Sequence, residues 1–131
     1  MVIKKSPGGS LFPYYYKNGE LFGLHLGSFK SDEAGVIARM KAEEIFIIQQ
    51  GRSLPLWIDF YQTDLSGTVI RELVEMLKHI HQYTPKLGLV GCSFIERWRI
   101  RRLIKKANYL SMLPVKYFND PEIAKTWLIS E

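Results

Sequence analysis

Leu54-Pro55-Leu56-Trp57-Ile58-Asp59-Phe60 is a nearly continuous apolar run with polar residues on either side, and its reading decides the fold. It is too short for a globular helix and lacks the alternation of a half-exposed strand, so it reads as a strand covered on both faces. A strand covered on both faces lies inside a sheet that carries helices. After the polar loop 61–66, Val69, Ile70, Leu73, Val74, Leu77 and Ile80 recur at three- and four-residue steps, predicting an amphipathic helix that stops at Thr84-Pro85. Lys86-Leu87-Gly88-Leu89-Val90-Gly91 predicts a second buried strand. The helix expected from near Ser93 has Ile100, Leu103, Ile104 and Ala107 as its core stripe. Residues 113–118 form another apolar run rich in β-formers. Asn119-Asp120-Pro121-Glu122 then supplies an Asp cap, a first-turn proline and a glutamate for a last helix buried through Ile123, Ala124, Trp127 and Leu128.

Upstream, residues 11–16 and 21–29 are aromatic and aliphatic and flank Lys17-Asn18-Gly19-Glu20, where Asn-Gly predicts the two-residue turn of a β-hairpin. Ser31-Asp32-Glu33 is a helix start, followed by Ile37, Met40, Glu44, Ile47 and Ile48 at mostly helical spacing up to Gly51. The order is hairpin, helix, then strand and helix alternating. That order predicts an α/β fold with a mainly parallel mixed sheet, right-handed crossovers and helices packed on it. Residues 1–10 read as a flexible N-terminal lead-in and residues 11–131 as one domain, a length that buries a full core without disulfides or metals.

The lead-in holds two lysines with no apolar segment behind them, so no secretory signal is expected, and no apolar run approaches the roughly 20 residues of a membrane span. A single cysteine, Cys92, excludes an internal disulfide and a multi-cysteine zinc site, which fits a reducing cytoplasm. His25, His79 and His81 match no metal motif; on a helix, positions 79 and 81 point about 200° apart. Neither a metal nor a cofactor is expected. Net charge is +5, but residues 86–116 hold eight basic side chains against the single Glu96, so the basicity is regional.

On the third helix, Trp98, Arg101, Arg102 and Lys105 share the face opposite the core stripe, with Phe94 at the edge and Arg99 and Lys106 flanking. Such a face is either plain solvated surface, covered by a second subunit, or an apolar anchor in a cationic field that engages anionic lipid headgroups or nucleic acid. Asp64 or Ser66 is placed to cap the second helix, and with Gly67 they form a candidate phospho-acceptor or anion site. Gly91-Cys92-Ser93 joins a strand end to a helix start without the glycines of a dinucleotide or phosphate loop. Cys92 is read as small apolar filler rather than nucleophile, and Asp59 as a strand-end acid. The rings of Phe12, Tyr14, Tyr15, Tyr16, Phe22 and Phe29 crowd the hairpin, where they pack the core, form a dimer interface or line an apolar pocket.

Three stretches carry a family resemblance: Leu56-Trp57-Ile58-Asp59-Phe60, Leu87-Gly88-Leu89-Val90-Gly91 leading into a basic helix, and Val115-Lys116-Tyr117-Phe118-Asn119-Asp120-Pro121-Glu122-Ile123-Ala124-Lys125-Thr126-Trp127-Leu128. With the element order, they resemble the STAS/anti-sigma-factor-antagonist superfamily, in particular its SpoIIAA-like branch, over residues 11–129. The resemblance implies a non-enzymatic regulatory or ligand- and protein-binding domain, and a homodimer. In antagonists of that superfamily, Asp-Ser-Ser-Gly holds a phosphorylated serine. The matching Asp64-Leu65-Ser66-Gly67 puts Ser66 at the phospho-acceptor position, with Leu65 in place of the first serine and a loop after Asp59 that looks shorter. Such a phosphate would make the start of the second helix an anion site. The alternative to the regulatory domain is a polyanion-binding or membrane-surface protein that works through the Trp98 helix.

Overall fold

The computed structural model describes residues 3–107 and 110–130. The deciding stretch forms strand β5 (Leu56–Asp59), bonded on one side to β4 (Gly19–His25) and on the other to β6 (Leu87–Val90), both parallel to it. Beyond β6 lies β7 (Val115–Phe118), also parallel, and β4 pairs antiparallel with the edge strand β3 (Tyr14–Tyr16). The five strands run in sequential order, and β5 is the central one, as its apolar run predicts.

Three helices make the crossovers: α1 (Glu33–Gln50), α2 (Gly67–Ile80) and α3 (Phe94–Lys106). With strands added in one direction and right-handed connections, these helices must fall on one face. The register rows Phe22-Leu56-Leu87-Val115 and Leu24-Ile58-Leu89-Tyr117 point to that face, where they pack with Val36, Met40 and Ile47 of α1, the Val69 to Ile80 stripe of α2, and Ile100 and Ile104 of α3. The other face is covered by α4 (Pro121–Leu128), eight residues long, in a smaller cluster of Leu21, Trp57, Val90, Ala124 and Leu128. Here the row reads Gly23-Trp57-Gly88-Lys116. Glycines on both sides of Trp57 give its ring room, and a Cβ on Gly88 would touch Leu128 and Ala124 of α4 at 3.6 and 3.7 Å.

Several local expectations shift. The hairpin turn is Lys17-Asn18, with Lys17 at φ 51°, because Tyr16 pairs with Gly19. Gly19 serves packing instead of the turn, since a Cβ there would lie 2.3 Å from the Ile129 side chain. In α1 the buried residues are Val36, Met40, Glu43 and Ile47, while Ile48 is exposed, so the stripe is rotated from the one expected. In α4, Ile123 is exposed and Lys125 is buried, its ammonium held by Tyr14 Oη at 3.1 Å and lying over the Trp57 ring.

The segment read as a flexible lead-in is largely built into the fold. Lys4–Lys5 (β1) pairs with Leu11–Phe12 (β2), Ser6 and Ser10 are buried, and the Gly8 amide donates to the buried Glu43 carboxyl at 2.5 Å. Met1 and Val2 lie outside the described residues. No helix among the described residues is long and apolar enough to cross a membrane.

Candidate functional site

Two of the sequence features meet in one place. Helix α3 starts at a capping box in which Ser93 Oγ accepts from the Glu96 amide and Glu96 Oε1 accepts from the Ser93 amide. The other oxygen of Glu96 accepts from the Leu65 amide at 2.9 Å, which ties the start of α3 to the loop entering α2. With Leu65 buried beneath, the first turns of α2 and α3 lie side by side.

Between them runs a groove of about 450 Å³. Its floor is Ile70 and Leu103, the Trp98 ring forms part of its wall, and Gly67 opens it at the start of α2. Arg71, Arg99, Arg102 and Lys106 surround it, with no carboxylate among the lining residues. Arg102 stacks its guanidinium over Trp98 at 5.5 Å, and both remain exposed. Four cations on an apolar floor make a field that attracts anions and a surface that gains from covering hydrocarbon. Further along the same helices, Glu72 and Glu75 enter the lining and the field becomes mixed.

The basic face of α3 is thus divided. Trp98, Arg99, Arg102 and Lys106 turn toward α2, whereas Arg101 lies over the Tyr117 ring at 5.0 Å on the β7 side, beside Arg97, which also reaches Asn119 Oδ1 at 2.8 Å. Lys105 is exposed outside the groove lining. At the first turn of α3, Phe94 and Ile95 are 84% and 60% exposed, and Trp98 one turn on is 53% exposed, three large apolar side chains presented to solvent by one helix end.

Ser66 is the N-cap of α2: its Oγ accepts from the Val69 amide at 3.3 Å and its hydroxyl donates to the Glu33 carboxylate. Of the two expected caps it is Ser66 that serves; Asp64 is exposed and contributes its amide to the Lys30 carbonyl. A phosphate on Ser66 would stand against Glu33. Cys92 is buried, and that burial, aided by the Glu96 carboxylate, pushes its thiol up to about 12, so the thiolate needed for attack is scarce at neutral pH. Asp59 Oδ1 accepts from the Tyr61 amide and closes its own turn. Gly91, at φ 87°, lets the chain pass close to Tyr61, whose backbone nitrogen a Cβ there would meet at 3.2 Å. His79 pairs with Glu44 across α1 and α2, far in the fold from His25 against Trp57. Among the described residues no group of three or more His, Cys, Asp or Glu is placed to hold a metal.

Arg71 and the floor residues Ile70 and Leu103 belong to the groove but do not stand out in the sequence, where Ile70 and Leu103 look like ordinary core. Arg71 is legible only as a cation on the polar side of the α2 stripe. Comparison with protein-family models, with curated proteins and with solved structures gives no match.

Proposed function

We propose that this chain is a non-enzymatic binding domain of the STAS/SpoIIAA-like kind, and that its working surface is the α2–α3 groove, which seats on an anionic lipid surface. The observation that carries the reading is the groove itself: Arg71, Arg99, Arg102 and Lys106 around an apolar floor, without a carboxylate in the lining. The STAS/SpoIIAA-like part is supported by the order of elements, an antiparallel hairpin and then strands and helices in alternation. Lipid is favoured over nucleic acid by Phe94 and Ile95. Together with Trp98 they form an exposed apolar end beside the cations, the composition that inserts at a headgroup boundary, while an isoleucine offers no stacking face for a base. Ser66 is read as a structural cap, since both of its hydrogen-bonding roles are taken within the fold.

The test is flotation with phosphatidylcholine vesicles, with and without phosphatidylserine, next to a mobility-shift assay on single- and double-stranded nucleic acid. Binding only to the serine-lipid vesicles, lost on Phe94→Ser/Trp98→Ser, supports the proposal. A nucleic-acid shift without flotation overturns the lipid assignment. A dimer that dissociates in sedimentation when Phe94 and Trp98 are replaced assigns the face to a second copy instead.

A further inference from the structure

The second face of the sheet holds a feature unrelated to the groove. Helix α4 packs on β5, β6 and β7, and the N-terminal segment lies at the Gly23–His25 end of β4 on that face. There the chain turns back at residues 6–10 by bonds from the Ser6 amide to the Ser10 carbonyl and from the Gly9 amide to the Ser6 carbonyl. Gly9 sits at φ 91°, a conformation open to glycine. Gly8 pins the turn to Glu43 of α1.

Under this turn lies a cavity of about 150 Å³, lined by Ser10, Leu11, Tyr14, Gly23, His25 and Trp57 together with Gly9. Two of its lining side chains are each 6% exposed and carry a polar atom with no hydrogen-bond partner, Ser10 Oγ and Trp57 Nε1. A buried indole N–H costs free energy unless an acceptor reaches it, and it can only donate. Gly23 keeps a side chain off the indole nitrogen, since a Cβ there would approach it to 2.9 Å. His25 stands edge-on to the indole at 5.2 Å, and burial lowers its pKa, so the ring enters as a neutral donor or acceptor. The fixed charges acting on His25 are Asp59, Lys125 and Arg39, two cations against one anion, and Lys125 also lies 4.9 Å from the Trp57 ring.

We propose that this cavity is a binding site for a small monocarboxylate, whose oxygens accept from Trp57 Nε1 and Ser10 Oγ while its carbon frame fills the space over Gly23. A void of about this size accommodates a ring of benzene dimensions, so the ligand is of benzoate size. The site is separate from the α2–α3 groove and does not rest on the lipid-binding reading.

The experiment follows the indole N–H signals of the full chain by two-dimensional NMR during titration with sodium benzoate, with acetate and benzamide as companions; Trp57→Phe assigns the Trp57 signal. The expected result is a saturable shift of that signal, with those of Trp98 and Trp127 unmoved, and tighter binding of benzoate than of the uncharged benzamide. Gly23→Ala should abolish the shift with the other two indole signals in place. Ser10→Ala, which keeps the backbone turn, should weaken binding by roughly three- to tenfold, the loss of one hydrogen bond. A Trp57 signal that none of the three compounds moves would mean the cavity holds only water and would overturn the proposal. So would a shift unchanged in both Gly23→Ala and Ser10→Ala.

Discussion

Glu43 is fully buried on the core side of α1, where it accepts the Gly8 amide, and burial raises its pKa above the ordinary glutamate value. A carboxyl that holds its proton more tightly in the folded chain contributes stability below the ordinary glutamate range, and that contribution is lost as pH rises through the folded value. Glu43→Gln keeps an acceptor for Gly8 and removes the charge. The variant should therefore be more stable than the parent in urea unfolding at pH 7, and the difference should vanish toward pH 4. A variant less stable at pH 7 would mean that the charged carboxylate holds the N-terminal turn. The same residue explains why the buried stripe of α1 departs from its sequence pattern. By pattern Glu44 looks like the member of the stripe, but the N-terminal turn supplies a polar partner at position 43, and no helical period records a bond to a segment 35 residues away.

At the scale of elements, Glu96 is the joint on which the groove depends, since it closes the capping box of α3 and holds the Leu65 amide ahead of α2. Glu96→Ala removes both acceptor roles. It should cost about 1–3 kcal/mol in urea unfolding, the range of a lost cap plus an orphaned amide. A loss below about 0.5 kcal/mol, that of an ordinary surface substitution, would show that the two helix starts are set by packing alone. What could be read in the sequence follows from how local each cause is. The β5 and β6 strands, the α2 stripe and the α3 and α4 caps are specified by neighbours a few residues apart, and they stand where the periodicity put them. Asn18-Gly19 marks the hairpin, yet its turn sits one residue earlier because Gly19 is required under Ile129, a contact across the whole chain. Lys125 was hidden for the same reason. Its burial depends on the ring cluster of Tyr14, Tyr16 and Trp57, drawn from two other elements.

Over the whole molecule, a net charge of +5 understates the asymmetry, because Arg99, Arg102 and Lys106 of α3 and Arg71 of α2 converge on one groove beside exposed Phe94 and Ile95. The cationic face of α3 was visible as a helical wheel, whereas its division into a part facing α2 and a part lying on Tyr117 needed the packing of three elements. If location and not total charge governs binding, reversing charges in the groove must matter far more than reversing as many elsewhere. The direct measurement is flotation on phosphatidylserine-containing vesicles across a salt series for two doubly substituted chains of equal net charge. One carries Arg99→Glu/Arg102→Glu in the groove; the other carries Lys17→Glu/Lys41→Glu at exposed positions outside it. The parent should bind with an affinity that falls as salt rises, the groove variant should lose binding, and the control should retain most of it. Equal loss in both variants, or parent binding indifferent to salt, would contradict the account.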